Sequence, residues 1–131
     1  MSQATVLVID DEEGYVAVLQ EILASYGLNV SIAHSAADAM RTIEADSPSL
    51  MIVDVMMPEI DGLSLIRWIR SRPGSAETPI VVASARVMPD EQAAALEAGA
   101  DAFLPKPFTT HELRAAIRPY VSIPQTGELT T

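Results

Sequence analysis

The chain has no cysteine, a single lysine and no long apolar run. Lack of cysteine excludes disulfides and cysteine-ligated zinc. No basic-apolar segment opens the chain and no stretch approaches the ~20 apolar residues of a membrane span, so neither secretion nor membrane insertion is expected. The expectation is a cytoplasmic protein. Basic charge is also scarce: eight Lys and Arg against eighteen Asp and Glu leave a formal charge of -10, a poor match to a phosphate backbone. Direct nucleic-acid binding is not expected. No glycine-rich phosphate loop follows the first apolar run, which argues against a nucleotide or flavin site there. Internal repeats and low-complexity tracts are missing as well.

What is present fits one domain: 131 residues, 49% hydrophobic, enough for an ordinary core. Short apolar runs at residues 6–9, 30–33, 50–53, 80–83 and 102–104 suit strands buried on both faces. Between them lie helical periods. Val16, Leu19, Leu23 and Tyr26 mark one face, Ala36, Met40 and Ile43 a second, and Leu65, Ile66 and Ile69 a third. Leu113, Ala116, Ile117 and Tyr120 mark the last, whereas residues 90–98 offer mainly Ala93, Ala94, Ala95 and Leu96 and predict the least firmly anchored helix. Gly27, Pro73-Gly74 and Gly99 punctuate the helices, Pro89 suits a first helical position, and Pro119 should shorten or bend the last helix. The alternation predicts a doubly wound α/β fold with a five-stranded parallel sheet. Residues 122–131 are polar and aperiodic and are expected to be a tail or truncated linker beyond a domain of residues 1–121.

In such a sheet, chemistry collects beyond the carboxyl ends of the strands. Asp10 and Asp11 end the first run, Asp54 the third and Ser84 the fourth, and Lys106 follows the fifth within "LPKPF". Carboxylates brought together repel unless a cation sits among them, and a hard oxygen-rich site suits Mg2+. Asp54 could then act as a nucleophile towards a phosphoryl group, with Lys106 and Ser84 stabilising its oxygens. Lys106 is the only lysine among eight cations, which hints at a need for a compact charge on a flexible stem. Pro105 and Pro107 flank it, and Lys106-Pro107 is a candidate cis peptide. Singly, each feature has an ordinary reading: a helix N-terminus, a turn cap, a strand-end hydroxyl, a loop. Their joint appearance at the ends of four strands argues for a site.

The blocks "VLVIDDEE", "LMIVDVMMPEIDG", "IVVASA" and "GADAFLPKPF" resemble those of response-regulator receiver domains, the phospho-accepting modules of two-component signalling. The resemblance spans roughly residues 4–121 in family order and spacing. It implies a flavodoxin-like fold with strand order 2-1-3-4-5, phosphorylation at Asp54, and Mg2+, for which Mn2+ could substitute, held by Asp10, Asp11, Asp54 and the Met56 backbone carbonyl. It further implies that Ser84 and Phe103 are switch residues, that Lys106 contacts the phosphoryl group, and that Ala85 leaves room for its entry. The implied partners are a sensor histidine kinase or histidine phosphotransfer protein and an output partner reached through the fourth helix, fifth strand and fifth helix.

Other readings are weaker. An aspartyl-phosphate phosphatase of the haloacid dehalogenase type would resemble DxDxT on the first strand, where this chain has "DDEE". A degenerate receiver is disfavoured because every required side chain is present. Ala102 and Ala116 stand where receivers that dimerise through the fourth and fifth helices carry an acid and an arginine, so that dimer is not supported. His34 and His111 are expected on the surface. The resemblance fits either a single-domain regulator or a receiver belonging to a larger regulator or hybrid kinase.

Overall fold

Each apolar run becomes a strand and each helical period a helix. The computed structural model describes residues 4–56 and 61–123. In chain order these form β1 (Thr5–Ile9), α1 (Glu13–Ser25), β2 (Asn29–Ala33), α2 (Ala36–Ala45), β3 (Leu50–Val53), α3 (Gly62–Ser71), β4 (Ile80–Ser84), α4 (Pro89–Ala98), β5 (Ala102–Pro105) and α5 (Thr110–Ile117). The strands pair in parallel in the order 2-1-3-4-5, the flavodoxin-like arrangement. The order reverses between β1 and β3, which opens the crevice where doubly wound folds bind. Part of the turn after Asp54, residues 57–60, and residues 124–131 of the expected tail lie outside the described residues.

Strand alternation divides the core into two layers. Leu7, Ile9, Met51, Val53, Ile80 and Val82 face α2, α3 and α4, while Val6, Val8, Leu50, Ile52, Val81 and Ala83 face α1 and α5. Burying each such Val, Leu, Ile or Met side chain stabilises the fold by about 1.5–3 kcal/mol. The edges differ from the expectation of strands buried on both faces. In β2 only Ala33 is buried, and in β5 only Leu104 is, because each has one strand neighbour and a helix layer that does not reach fully over it.

Helix ends follow the local signals. Gly27 and Gly99 take positive φ, at 84° and 129°, which costs a glycine little. Pro89 opens α4, and α5 stops at Ile117, two residues before Pro119. Ser35, Asp61 and Thr109 cap α2, α3 and α5 by accepting from the amides of Asp38, Ser64 and Glu112. Helix α4 is weakly anchored, as its sequence predicts, although the anchors are Ala95 and Ala98 rather than the whole alanine run. Leu96, expected to pack, is 49% exposed. Tyr26 continues the α1 face only as its half-buried C-cap, and its hydroxyl donates to the Thr110 carbonyl of α5 at 3.3 Å.

Candidate functional site

Register sets the site. Ile9 pairs with Val53, and the Asp54 amide donates to the Ile9 carbonyl at 2.9 Å, so Asp10 and Asp54 leave adjacent strand ends together. On the other side of β4, Ser84 pairs with Pro105 and the Lys106 amide donates to the Ser84 carbonyl at 2.9 Å. This delivers Lys106 to the same edge. Carboxylate oxygens of Asp10, Asp11 and Asp54 lie within 4.8 Å of one another. Lys106 Nζ stands 2.8 Å from Asp10 Oδ2 and 3.4 Å from Asp54 Oδ2. Asp10 and Asp54 are buried and Asp11 is exposed, an arrangement open to solvent on one side only.

The charges do not balance locally. Three carboxylates with oxygens within 4.8 Å of one another repel, and one ammonium faces all three. Backbone amides carry part of the load: Glu12 donates to Asp10 Oδ1 at 3.0 Å and Met56 to Asp54 Oδ1 at 2.9 Å. Burial still raises the Asp54 pKa, because it outweighs the lowering by the Met56 amide and by Lys106, and Asp10 raises it further. A set of hard oxygens short of positive charge has the donor chemistry of a divalent-cation site.

Gly62 allows α3 to start against this edge. Its amide donates to the Val55 carbonyl at 3.2 Å. A Cβ at position 62 would overlap the Val55 Cα and come within 2.9 Å of the Asp54 carbonyl oxygen, so only glycine permits the approach.

Neither of the two expected switch residues is hydrogen-bonded to the carboxylates. Ser84 is fully buried, and its Oγ accepts from the Arg86 amide at 3.0 Å rather than bonding to Asp54. Phe103 is half-buried against the α2–α3–α4 layer and lines a groove of ≈ 340 Å³ with Val55, Met56, Leu63 and Ala94. The Lys106-Pro107 peptide is cis, and Ala85, His34 and His111 are exposed.

Sequence reasoning missed Tyr15. Its ring face lies 4.0 Å from Lys106 Nζ, and Phe108 meets it edge-on at 5.9 Å. Burial first, then the charges of Asp10, Asp54 and Glu12, push the Tyr15 hydroxyl far above the ordinary phenol range. An aromatic residue in the first turn after an acidic pair was the available signal. Its meeting with the loop after β5 is visible only in the folded chain.

Fold and site together define a flavodoxin-like α/β module with an acidic crevice at its topological switch point. Residues 6–118 match the model of the response regulator receiver domain, and the chain belongs to that family, the receiver modules of two-component signalling. It is 41% identical over 113 residues to response regulator MprA of Mycobacterium ulcerans, an alignment covering 86% of this chain and 48% of that protein. The chain therefore spans about half the length of the curated relatives it matches. Among solved structures, a response regulator from Chloroflexus aurantiacus is 31% identical with a TM-score of 0.87, covering 91% of this chain and 98% of that one. The receiver domain of sensor histidine kinase PA1611 from Pseudomonas aeruginosa, with a magnesium ion coordinated in its active-site cleft, is 25% identical with a TM-score of 0.84 over 91% and 98% of the two chains. Among the described residues no helix is long and apolar enough to cross a membrane.

Proposed function

We propose that Asp54 accepts a phosphoryl group from a histidine kinase or histidine phosphotransfer protein, and that the modification changes the surface formed by α4, β5 and α5. The observation that carries this reading is the convergence of Asp10, Asp11 and Asp54 within 4.8 Å beside the Lys106 ammonium. An Asp54 oxygen attacks the phosphorus of a phosphohistidine. The O–P bond forms as the N–P bond breaks, and the departing electron pair stays on the imidazole nitrogen, which is protonated from solvent. Lys106 balances the charge on the phosphoryl oxygens, and the hydroxyl of Ser84, at the end of β4, donates a hydrogen bond to one of them.

Asp10, Asp11, Asp54 and the Met56 carbonyl would hold Mg2+, with Mn2+ able to substitute, and their hard oxygen donors fit it. The cation, when bound, supplies charge neutralisation of the phosphoryl oxygens. The magnesium in the cleft of the PA1611 receiver supports this assignment. Movement of Ser84 towards the phosphoryl group leaves space behind it. Phe103, on the strand paired with β4, is the bulky neighbour available to fill that space. The output partner or domain is controlled through that surface.

Incubation with acetyl phosphate and Mg2+, followed by intact-mass measurement, tests the proposal. One added phosphoryl group is expected, and none in Asp54→Asn. An unchanged gain in Asp54→Asn would overturn the site, and no gain in the unmodified protein would overturn the phospho-accepting function.

A further inference from the structure

We propose that Tyr15 is a positioning residue for Lys106, its ring face forming the third wall of a socket that aims the ammonium at Asp10 and Asp54. The Lys106 side chain is only 14% exposed. Two sides of its Nζ are taken by Asp10 Oδ2 at 2.8 Å and Asp54 Oδ2 at 3.4 Å. Beneath it lies the Tyr15 ring, with its centroid 4.0 Å away. The negative face of an aromatic ring attracts a cation, more strongly when water is excluded. The ring also denies the ammonium a water shell on that side, so its remaining hydrogen-bonding capacity is directed at the carboxylates. Pro105 and Pro107 restrict the backbone at the root of the stem, and Tyr15 acts at its tip.

Tyr15 is itself held in place. Phe108 packs edge-on against it, with ring centroids 5.9 Å apart and planes at 80°. Tyr15 also rests against the core layer beneath α1 and α5, while an open apolar groove of ≈ 430 Å³ lined by Val18, Leu19, Ile22 and Pro107 runs beside Tyr15 and Lys106. The Tyr15 hydroxyl is buried and has no hydrogen-bond partner among the described residues. The ring face, not the phenol oxygen, is therefore the working part. A residue that only filled space would leave Lys106 indifferent to the change from an aromatic to an aliphatic side chain of similar size.

Because Lys106 is the only lysine, protein grown with 13C,15N-lysine reports on this one side chain. The Lys106 ε-methylene resonance and the rate of phosphoryl uptake from acetyl phosphate with Mg2+ are compared in the unmodified protein, Tyr15→Leu and Tyr15→Phe. The rate measurement rests on the phospho-accepting reading above, and the resonance does not. The ring current should shift the ε-methylene protons upfield in the unmodified protein and in Tyr15→Phe, and the shift should vanish in Tyr15→Leu. Uptake should slow about three- to ten-fold in Tyr15→Leu, in keeping with the strength of a desolvated cation–π contact, and Tyr15→Phe should recover most of the loss. Should Tyr15→Leu fail to fold in a melting test, Tyr15→Met takes its place in both measurements. A resonance unmoved by the aliphatic variant, equal rates in all proteins, or a Tyr15→Phe as slow as Tyr15→Leu would each sink the proposal. If the unmodified protein takes up no phosphoryl group, the receiver chemistry fails, and 13C relaxation of the Lys106 ε-methylene, expected to show a more mobile side chain in Tyr15→Leu than in Tyr15→Phe, decides the role of Tyr15; equal mobility in the two would sink it.

Discussion

Asp54 is held where its charge costs stability. Burial raises its pKa above the ordinary value of 3.8, and the Met56 amide and Lys106 only partly oppose it. For a carboxyl raised on folding, the native state binds more protons than the unfolded state between the two pKa values, so stability falls as pH rises through that window. The penalty is complete above the folded pKa and absent below the unfolded one. Asp54→Asn should therefore raise the melting temperature at neutral pH without Mg2+, and the gain should shrink as pH falls towards 4 and below. Melting curves between pH 3.5 and 8 check this. A gain that is constant or grows towards acid would contradict the account. Lys106 predicts the opposite behaviour, because its removal leaves buried Asp10 and Asp54 without a cation. Lys106→Ala should lose about 2–4 kcal/mol in urea unfolding without Mg2+. Millimolar Mg2+ should recover part of that loss.

Helices α3 and α4 are joined to the sheet very differently. Helix α3 abuts the β3 end so closely that Gly62→Ala forces a backbone shift, with an expected cost of about 1–3 kcal/mol. Urea unfolding measures it, and slower phosphoryl uptake should accompany it because Asp54 is displaced. At the far end of α3, Arg70 reaches the Gly99 carbonyl at 2.9 Å, the Thr78 carbonyl at 2.6 Å and Asp101 Oδ2 at 2.8 Å. The same Asp101 oxygen accepts from the Ile80 amide at 2.9 Å. The C-terminal end of α4 is thereby tied to α3 and to the start of β4. Its N-terminal end is held by local surface contacts: Gln92 Nε2 donates to the Val87 carbonyl at 2.7 Å, and the Arg86–Glu91 pair at 3.3 Å, with the Arg86 side chain 64% exposed, is worth only about 0–1 kcal/mol. Amide exchange should therefore be fastest at the start of α4 and slow towards Ala98. Phosphorylation should change exchange across residues 84–118, and Ser84→Ala should take up the group more slowly while leaving that region in its resting pattern. Ser84→Ala responding like the unmodified protein would eliminate this switching route.

Over the whole molecule the charge of -10 sums to self-repulsion, concentrated at one edge of the sheet by the three carboxylates. Two kinds of cation should relieve it in distinguishable ways. Sodium chloride should raise the melting temperature gradually through screening, without saturating at millimolar concentration. Mg2+ should act at millimolar concentration and saturate, as a site-bound ligand does by linkage. Asp11→Ala should abolish the saturable response and leave the gradual one. Melting indifferent to Mg2+ in the unmodified protein would remove Asp10 and Asp11 from the metal assignment.

The alternation of strand and helix, the helix ends at Gly27, Pro89 and Gly99, and the polar residues after four of the five apolar runs are legible in the chain. These are local matters: hydrophobic period, turn chemistry and the limits that proline and glycine place on φ. The motif blocks added the strand order through resemblance. Folding alone sets β2 and β5 half-exposed at the edges, pairs the Ser84 hydroxyl with the Arg86 amide, lets Arg70 bind Gly99, Thr78 and Asp101 together, and lays Tyr15 under Lys106. Lys106 and Asp10 meet across 96 residues of chain. Such contacts depend on strand register and on which helix covers which face of the sheet, and a periodicity that records burial is silent on which buried residue meets which.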